Sequence, residues 1–265
     1  LLVATENGLN IFDKTTKQFS IIKCTNNSSA ADLKYIFKDS KNRVFIASYG
    51  NGLFEYNVTT KTLVNYPISE SVLKSNTDFV SEKSNMRCLT EVNGNIWCGS
   101  NEGILVFDPV NKTFLPEINF NNDSRYNNRI VSFAKDKDQN FIWIASWGGL
   151  VKYNIQTLTY TIFVNNQLDQ NSLSDNKISN LLSDKNNNLW IGTQDKGINI
   201  YFPSSIKFPL YNTNNGLISD YIYAIIQTKD KTIWVGAEDG LFNLNANAKK
   251  FDNVSSIISK YHVKT

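Results

Sequence analysis

One histidine, His262, serves a chain of 265 residues. Acid–base or nucleophilic catalysis through histidine needs partners that orient the imidazole, so this residue reads as a bystander and no catalytic residue is expected. Cysteine is scarce too: Cys24, Cys88 and Cys98 form an odd count without CxxC spacing, which leaves no pattern for structural zinc. Cys88 and Cys98 flank a predicted hairpin and are expected to pack as small buried hydrophobes. No metal and no cofactor is expected. No apolar run reaches the roughly 18–20 residues of a membrane span. The chain opens on "LLVATENG", with neither an initiator Met nor a signal segment, and so reads as a piece of a longer protein. The 27 basic and 24 acidic residues nearly balance, and the lysines are scattered, which gives no footprint for nucleic acid. Helix-period stretches of ten residues are also missing, which argues against helical repeats.

What is present is a repeat. Leu2, Phe45, Trp97, Trp143, Trp190 and Trp234 recur 43 to 52 residues apart. Each is an anchor followed by a small or β-branched residue, and six or seven positions on comes a glycine: Gly8, Gly52, Gly103, Gly149, Gly197 or Gly240. Leu or Ile follows that glycine each time. Upstream of the anchors stand short apolar runs such as "IVSFA" (130–134) and "ISNLL" (178–182), then polar turns such as "DKNNN" (184–188). This spells four short strands per unit, here A to D from inside out, with turn signals between them. Periods near 45 residues with strand signals point to a β-propeller. The expected fold is all-β, a single propeller domain over 1–265 of about six four-stranded blades, or a segment of a larger propeller. The blades fall at 1–30 (with strand A drawn from 257–265), 31–68, 86–120, 129–165, 176–212 and 220–256. The connection 65–85 is unusually long and reads as a cover for the channel mouth or a partner contact.

Strand alternation explains the anchor motif. In "LWIGT" (189–193) Trp190 and Gly192 share one face and Ile191 and Thr193 the other, so a bulky and a nearly absent side chain side by side let the next blade interdigitate. Gly197 suits a turn that needs positive φ. Asp39, Asp136, Asp184 and Asp230 are read as turn formers.

The stretches "NSLSDNKISNLLSDKNNNLWIGTQDKGINIY" (171–201) and "NNGLISDYIYAIIQTKDKTIWVGAEDGLFNL" (214–244) resemble the two-component regulator propeller repeat. The likeness rests on an N-x-L approach, a D-x-x-x-N turn and a W-I-G-T…G-L core. It covers all six repeats and is weaker at Leu2 and Phe45, where the Trp is missing. Such repeats fill the periplasmic sensor regions of hybrid two-component histidine kinases from Bacteroides-type bacteria, beside two larger propellers, a β-sandwich, a membrane span and a kinase module. The resemblance therefore implies a non-enzymatic sensor piece, periplasmic, within an inner-membrane receptor that can dimerise. It also implies an oligosaccharide or other small polar ligand, and a signal passed to a cytoplasmic kinase.

A ligand site has to come from loops held by rigid blades. The B–C turns and D–A connections share one face. Tyr49 and Trp147 are the aromatics of the B–C turns, and a flat ring suits the apolar C–H face of a sugar. Glu102, Gln194, Asp195, Glu238 and Asp239 supply a polar rim, and Arg87, Arg125, Tyr126 and Arg129 come from D–A connections and suit a sulfate or uronate. The bland reading is that Tyr49 and Trp147 merely pack on neighbouring loops. Two other functions stay open: a protein-docking scaffold, and a glycoside-processing enzyme suggested by the faint likeness of "SDKNNNLW" (183–190) to the Asp-box of sialidases. The latter would need an arginine cluster, and the chain has four arginines, of which Arg43 falls in an A–B turn on the wrong face.

Overall fold

The computed structural model describes residues 1–24, 32–68, 84–118, 120, 128–169, 171–203, 208–213, 216–217, 219–245 and 250–255. No α-helix occurs among them, and their strands form six sheets in chain order, antiparallel but for one pair. The first is β1 (Leu2–Thr5), β2 (Gly8–Phe12) and β3 (Phe19–Ile21), followed by the short β4 (Lys23–Cys24). The second is β5 (Leu33–Lys38), β6 (Val44–Ser48), β7 (Leu53–Asn57) and β8 (Thr62–Tyr66). The third is β9 (Met86–Val92), β10 (Asn95–Ser100), β11 (Gly103–Asp108) and β12 (Thr113–Ile118). The fourth is β13 (Ile130–Lys135), β14 (Phe141–Ser146), β15 (Gly149–Asn154) and β16 (Tyr160–Phe163). The fifth is β17 (Ile178–Ser183), β18 (Leu189–Thr193), β19 (Ile198–Tyr201) and β20 (Leu210–Tyr211). The sixth is β21 (Ile222–Gln227), β22 (Ile233–Ala237), β23 (Gly240–Asn245) and β24 (Lys250–Asn253). These are propeller blades, as the repeat spacing predicts.

One detail departs from the expected boundaries. β4 does not extend the first blade but pairs in parallel with β8, Lys23 opposite Thr62 and Cys24 opposite Leu63, so the second sheet has five strands. An outer strand with an unpaired edge invites such cover. The strand expected from 257–265 lies outside the described residues, as do 69–83 of the long connection.

The chain divides into two compact units, one running to Ile130 with the first three blades, the other from Val131 with the last three. In the first, Leu9 and Ile22 pack on Leu33, Ile46 and Phe54, and Phe45, Ala47 and Leu53 pack on Met86, Leu89, Ile96 and Cys98. In the second, Trp143, Ala145 and Leu150 pack on Leu181, Leu189 and Ile191, while Trp190, Ile198 and Ile200 pack on Ile222, Ile225 and Val235. Trp190 therefore faces the following blade and Ile191 the preceding one, as alternation requires. Gly192 makes room for that approach, since a Cβ there would stand 2.8 Å from Ile222 Cγ2. Gly99 does the same against Cys88 and Ile130. Cys88 and Cys98 are free and buried. Cys98 pairs across with Leu89 and Cys88 with Gly99, so the two thiols point to opposite faces of the sheet.

Adjacent blades are also clipped by polar contacts. Ser40, in the A–B turn of blade 2, donates its amide (2.8 Å) and hydroxyl (2.7 Å) to Glu91 at the end of β9. Lys185, in the A–B turn of blade 5, donates its amide to Gln227 Oε1 at the end of β21 at 2.9 Å. The two acceptors occupy matching register positions, opposite Ile96 and Ile233.

Candidate functional site

Each B–C turn but the last is locked by the hydroxyl three positions after its anchor. Thr5, Ser48, Ser100, Ser146 and Thr193 donate to the carbonyls of Gly8, Gly52, Gly103, Gly149 and Gly197 at 2.8–3.1 Å. In four of these turns the same oxygen takes back an amide, from Asn7, Glu102, Gly148 or Lys196. Gly197, at φ 74°, has no room for a Cβ beside the Tyr211 carbonyl. Ala237 holds the sixth position and brings no hydroxyl. The turns are thus rigid mounts for whatever residue sits at their tips.

In the first unit Tyr49 is half-buried. The Arg87 guanidinium lies 5.4 Å from its ring centre and the Lys34 ammonium 5.9 Å, distances at which a ring quadrupole attracts a cation. Arg87 Nε also donates to Asn101 Oδ1 at 2.8 Å, in the next B–C turn, which brings Glu102 into the same group. Arg129 is half-buried at the entrance to β13.

In the second unit the half-buried Trp147 has the Lys177 ammonium 5.9 Å from its ring centre. The Lys177 carbonyl accepts the Gln194 amide at 2.9 Å, and Gln194 Nε2 donates to the Tyr221 hydroxyl at 2.7 Å. Tyr221 and Tyr223 lie with ring centres 5.0 Å apart, and the Tyr221 carbonyl accepts the Glu238 amide. Asp195 and Asp239 follow Gln194 and Glu238 and are exposed.

Of the residues expected to bind ligand, Tyr49, Glu102 and Arg129 lie in the first unit and Trp147, Asp195 and Asp239 in the second; Arg125 and Tyr126 fall outside the described residues. The aromatic tips do rest on neighbouring structure, on cations at or near the entrance of an A strand, yet neither ring is fully covered. Sequence reasoning missed Lys34, Lys177, Tyr221 and Tyr223. Their signal was available: each flanks the apolar residue that opens an A strand, Leu33, Ile178 or Ile222.

The opposite edge of the blades holds clefts. One of about 390 Å³ in the second unit is lined by Asp136, Asp138, Trp143, Lys152, Asn187 and Tyr201. Its lysine is paired with Asp136 at 3.0 Å and sits 4.9 Å from the Trp143 ring centre. No group of three or more His, Cys, Asp and Glu is placed to hold a metal among the described residues.

Antiparallel blades repeating at this period, with the anchors Phe45, Trp143 and Trp190 packed on the following blade within their units, define the class: a β-propeller. Within it, residues 172–195 and 216–239 match the family model described as two component regulator propeller. The chain is 25% identical over 312 aligned residues to "Histidine kinase P4" of Formosa agariphila, covering 95% of this chain and 22% of the relative; it thus spans about a fifth of that protein's length. Its fold is that of the extracellular domain of BT3049 from B. thetaiotaomicron, named a hybrid two component system (TM-score 0.77, 21% identity, 96% of this chain and 32% of that one). The same fold appears in virginiamycin B lyase from Staphylococcus aureus (TM-score 0.67, 12% identity, 94% and 77%), so the architecture alone does not decide between binding and catalysis.

Proposed function

We propose that this chain is a ligand-sensing propeller module of a hybrid two-component receptor, working outside the cytoplasm in the periplasm, and that its B–C turn face reads an oligosaccharide. The carrying observation is the regulator-propeller repeat itself, found in a chain whose turn tips present half-buried rings flanked by charged and amide groups. A histidine kinase and a hybrid two component system among the similar proteins support the receptor reading. Sugars suit such a surface because their C–H faces stack on rings while their hydroxyls need mixed donors and acceptors. A glycan array probed with the labelled chain tests it: one polysaccharide family should bind. A blank array together with capture of a defined protein partner would favour a docking scaffold. Release of product from glycosides would instead establish an enzyme.

A further inference from the structure

Three joints between consecutive blades share one form. The anchor of one blade rests on a ring carried by strand C or D of the next: Phe45 lies 6.1 Å from Phe107, Trp143 5.1 Å from Tyr201 and Trp190 6.4 Å from Phe251, centre to centre. Blade 1 carries the ring half of such a joint in the open. Phe12 and Phe19 stand opposite each other with ring centres 4.8 Å apart, the same register pair as Phe107 and Phe114 of blade 3, which lie 5.2 Å apart. Phe107 is buried under Phe45, whereas Phe19 is 64% exposed and Ile21, two positions on and on the same face, 74%. Val3 belongs to this face as well and is half-buried, while Ile46, Ile144, Ile191 and Val235, which hold its place in other blades, are fully covered.

Blade 6 carries the other half. Ile226 lies opposite Trp234, and Ala224 opposite Gly236, on the face that in blade 5 sets Trp190 and Gly192 against the following blade. Ile226 is 55% exposed and Trp234 only half-buried. Among the described residues a Cβ on Gly236 would meet only Ala224 of its own blade, at 4.0 Å, where one on Gly192 meets Ile222 of the next blade at 2.8 Å. Apolar side chains grouped in the open on a sheet face mark an interaction surface. We propose that these faces are the two halves of one joint and bring copies of this chain together head to tail, the anchor face of blade 6 in one copy on the ring face of blade 1 in another. The joint itself names the occupant. Blade 6 offers what blades 2, 4 and 5 give to their neighbours, and blade 1 offers what blades 3, 5 and 6 receive with. The two faces differ, so each takes its opposite and not its like. Phe12, Phe19, Ile21, Trp234 and Ile226 are uncharged, and the contact is driven by burying them. Such a contact leaves one free face of each kind on a dimer, so growth does not stop at two unless a ring closes. The proposal does not depend on what the B–C turns bind.

Sedimentation velocity of the 265-residue chain tests it, over a concentration series reaching about 0.1 mM, as suits an interface of one blade face. The parent should shift with concentration to dimers and longer species. Phe19→Asp and Ile226→Asp, each at an exposed position, should keep the parent's melting temperature and stay monomeric, since a buried unpaired charge weakens the joint about a hundredfold or more. Mixed in equal amounts, the two variants should form dimers and nothing longer, because the first retains an intact blade 6 face and the second an intact blade 1 face. The variant carrying both changes should stay monomeric alone and in either mixture. A parent that stays monomeric would assign these faces to another occupant, such as a further blade, and overturn the proposal. So would a single variant that associates like the parent, or an equal mixture that stays monomeric.

Discussion

Trp190 Nε1 donates to Asp184 Oδ2 at 2.9 Å, and the same carboxylate accepts the amides of Asn186 and Asn188 and the side-chain amide of Asn188. The aspartate is a buried hub that ties a hairpin turn to the indole wedged against the next blade. Asp184→Ala leaves several donors unpaired at once. It should lower stability by about 2–4 kcal/mol, read as a lower urea midpoint with the same blade content by circular dichroism. A change below about 0.5 kcal/mol would show that water replaces the carboxylate at no loss.

Gly192→Ala should destabilise although alanine is the better strand residue. Its Cβ would press on Ile222 Cγ2 at 2.8 Å and on Ser179, and overpacking of this kind costs about 1–3 kcal/mol. Gly236→Ala is the control, because its nearest neighbour would be Ala224 Cβ at 4.0 Å. Thermal melts of the two variants should therefore separate, with Gly236→Ala close to the parent.

Tyr66 should make the protein alkali-sensitive. Burial, then the hydrogen bond and charge of Glu55, push its phenol well above the ordinary value. A pKa raised by folding means that the contribution is complete below the unfolded value of about 10 and is lost as pH climbs toward the folded one. Urea midpoints should begin to fall above about pH 8.5, where the unfolded thiols ionise, and fall more steeply above about pH 10, where the phenol joins them. Tyr66→Phe should start about 1 kcal/mol lower, having lost the bond to Glu55, and fall less steeply. The difference between the two curves isolates Tyr66 from the buried thiols of Cys88 and Cys98, which burial shifts in the same direction.

Trp147→Ala separates mount from platform. The turn geometry rests on Ser146, whose hydroxyl donates to Gly149 and accepts from Gly148, so the melting temperature should change little. If the B–C face reads a saccharide, losing the ring should weaken it by about 1–3 kcal/mol, roughly five- to a hundredfold. Calorimetry with the polysaccharide found on the array measures it, and an unchanged affinity would move the site away from this turn.

How legible this was can be judged residue by residue. The facing of Trp190 and Ile191, the positive φ of the turn glycines and the four-strand blades follow from period-two alternation and turn chemistry, both local rules. The role of the turn aspartates was only half legible. Asp184 shapes its turn as expected, but its bond to an indole six residues on depends on hairpin register. Asp230 had been grouped with Asp184, yet Thr228 holds the matching place six residues before Trp234, and Asp230 instead accepts from Thr228 and Thr232. In blade 2, where Phe45 has no N–H, Arg43 donates from Nε to the turn carboxylate of Asp39, lies beside the Phe45 ring and reaches the Pro109 carbonyl of blade 3; this was hidden because it joins a turn to a ring and to a neighbouring blade. The candidate site was least legible: its members come from several blades, and although spacing puts Lys177 at the entrance of an A strand, its meeting with Trp147 depends on how that strand lies beside the B–C turn.

The clips between Ser40 and Glu91 and between Lys185 and Gln227 redefine what a transferable module would be. A blade cut out at its own first and last strands breaks its joint: blade 2 keeps Ser40 without Glu91, and blade 5 keeps Lys185 without Gln227. The fragment that carries a whole joint starts at one A–B turn, passes through strands B, C and D, and ends with strand A of the following blade. Chimeras spliced inside the A–B hairpin should therefore keep their fold where chimeras spliced in the D–A connections loosen, and duplication of such fragments would lengthen the array without breaking a single clip.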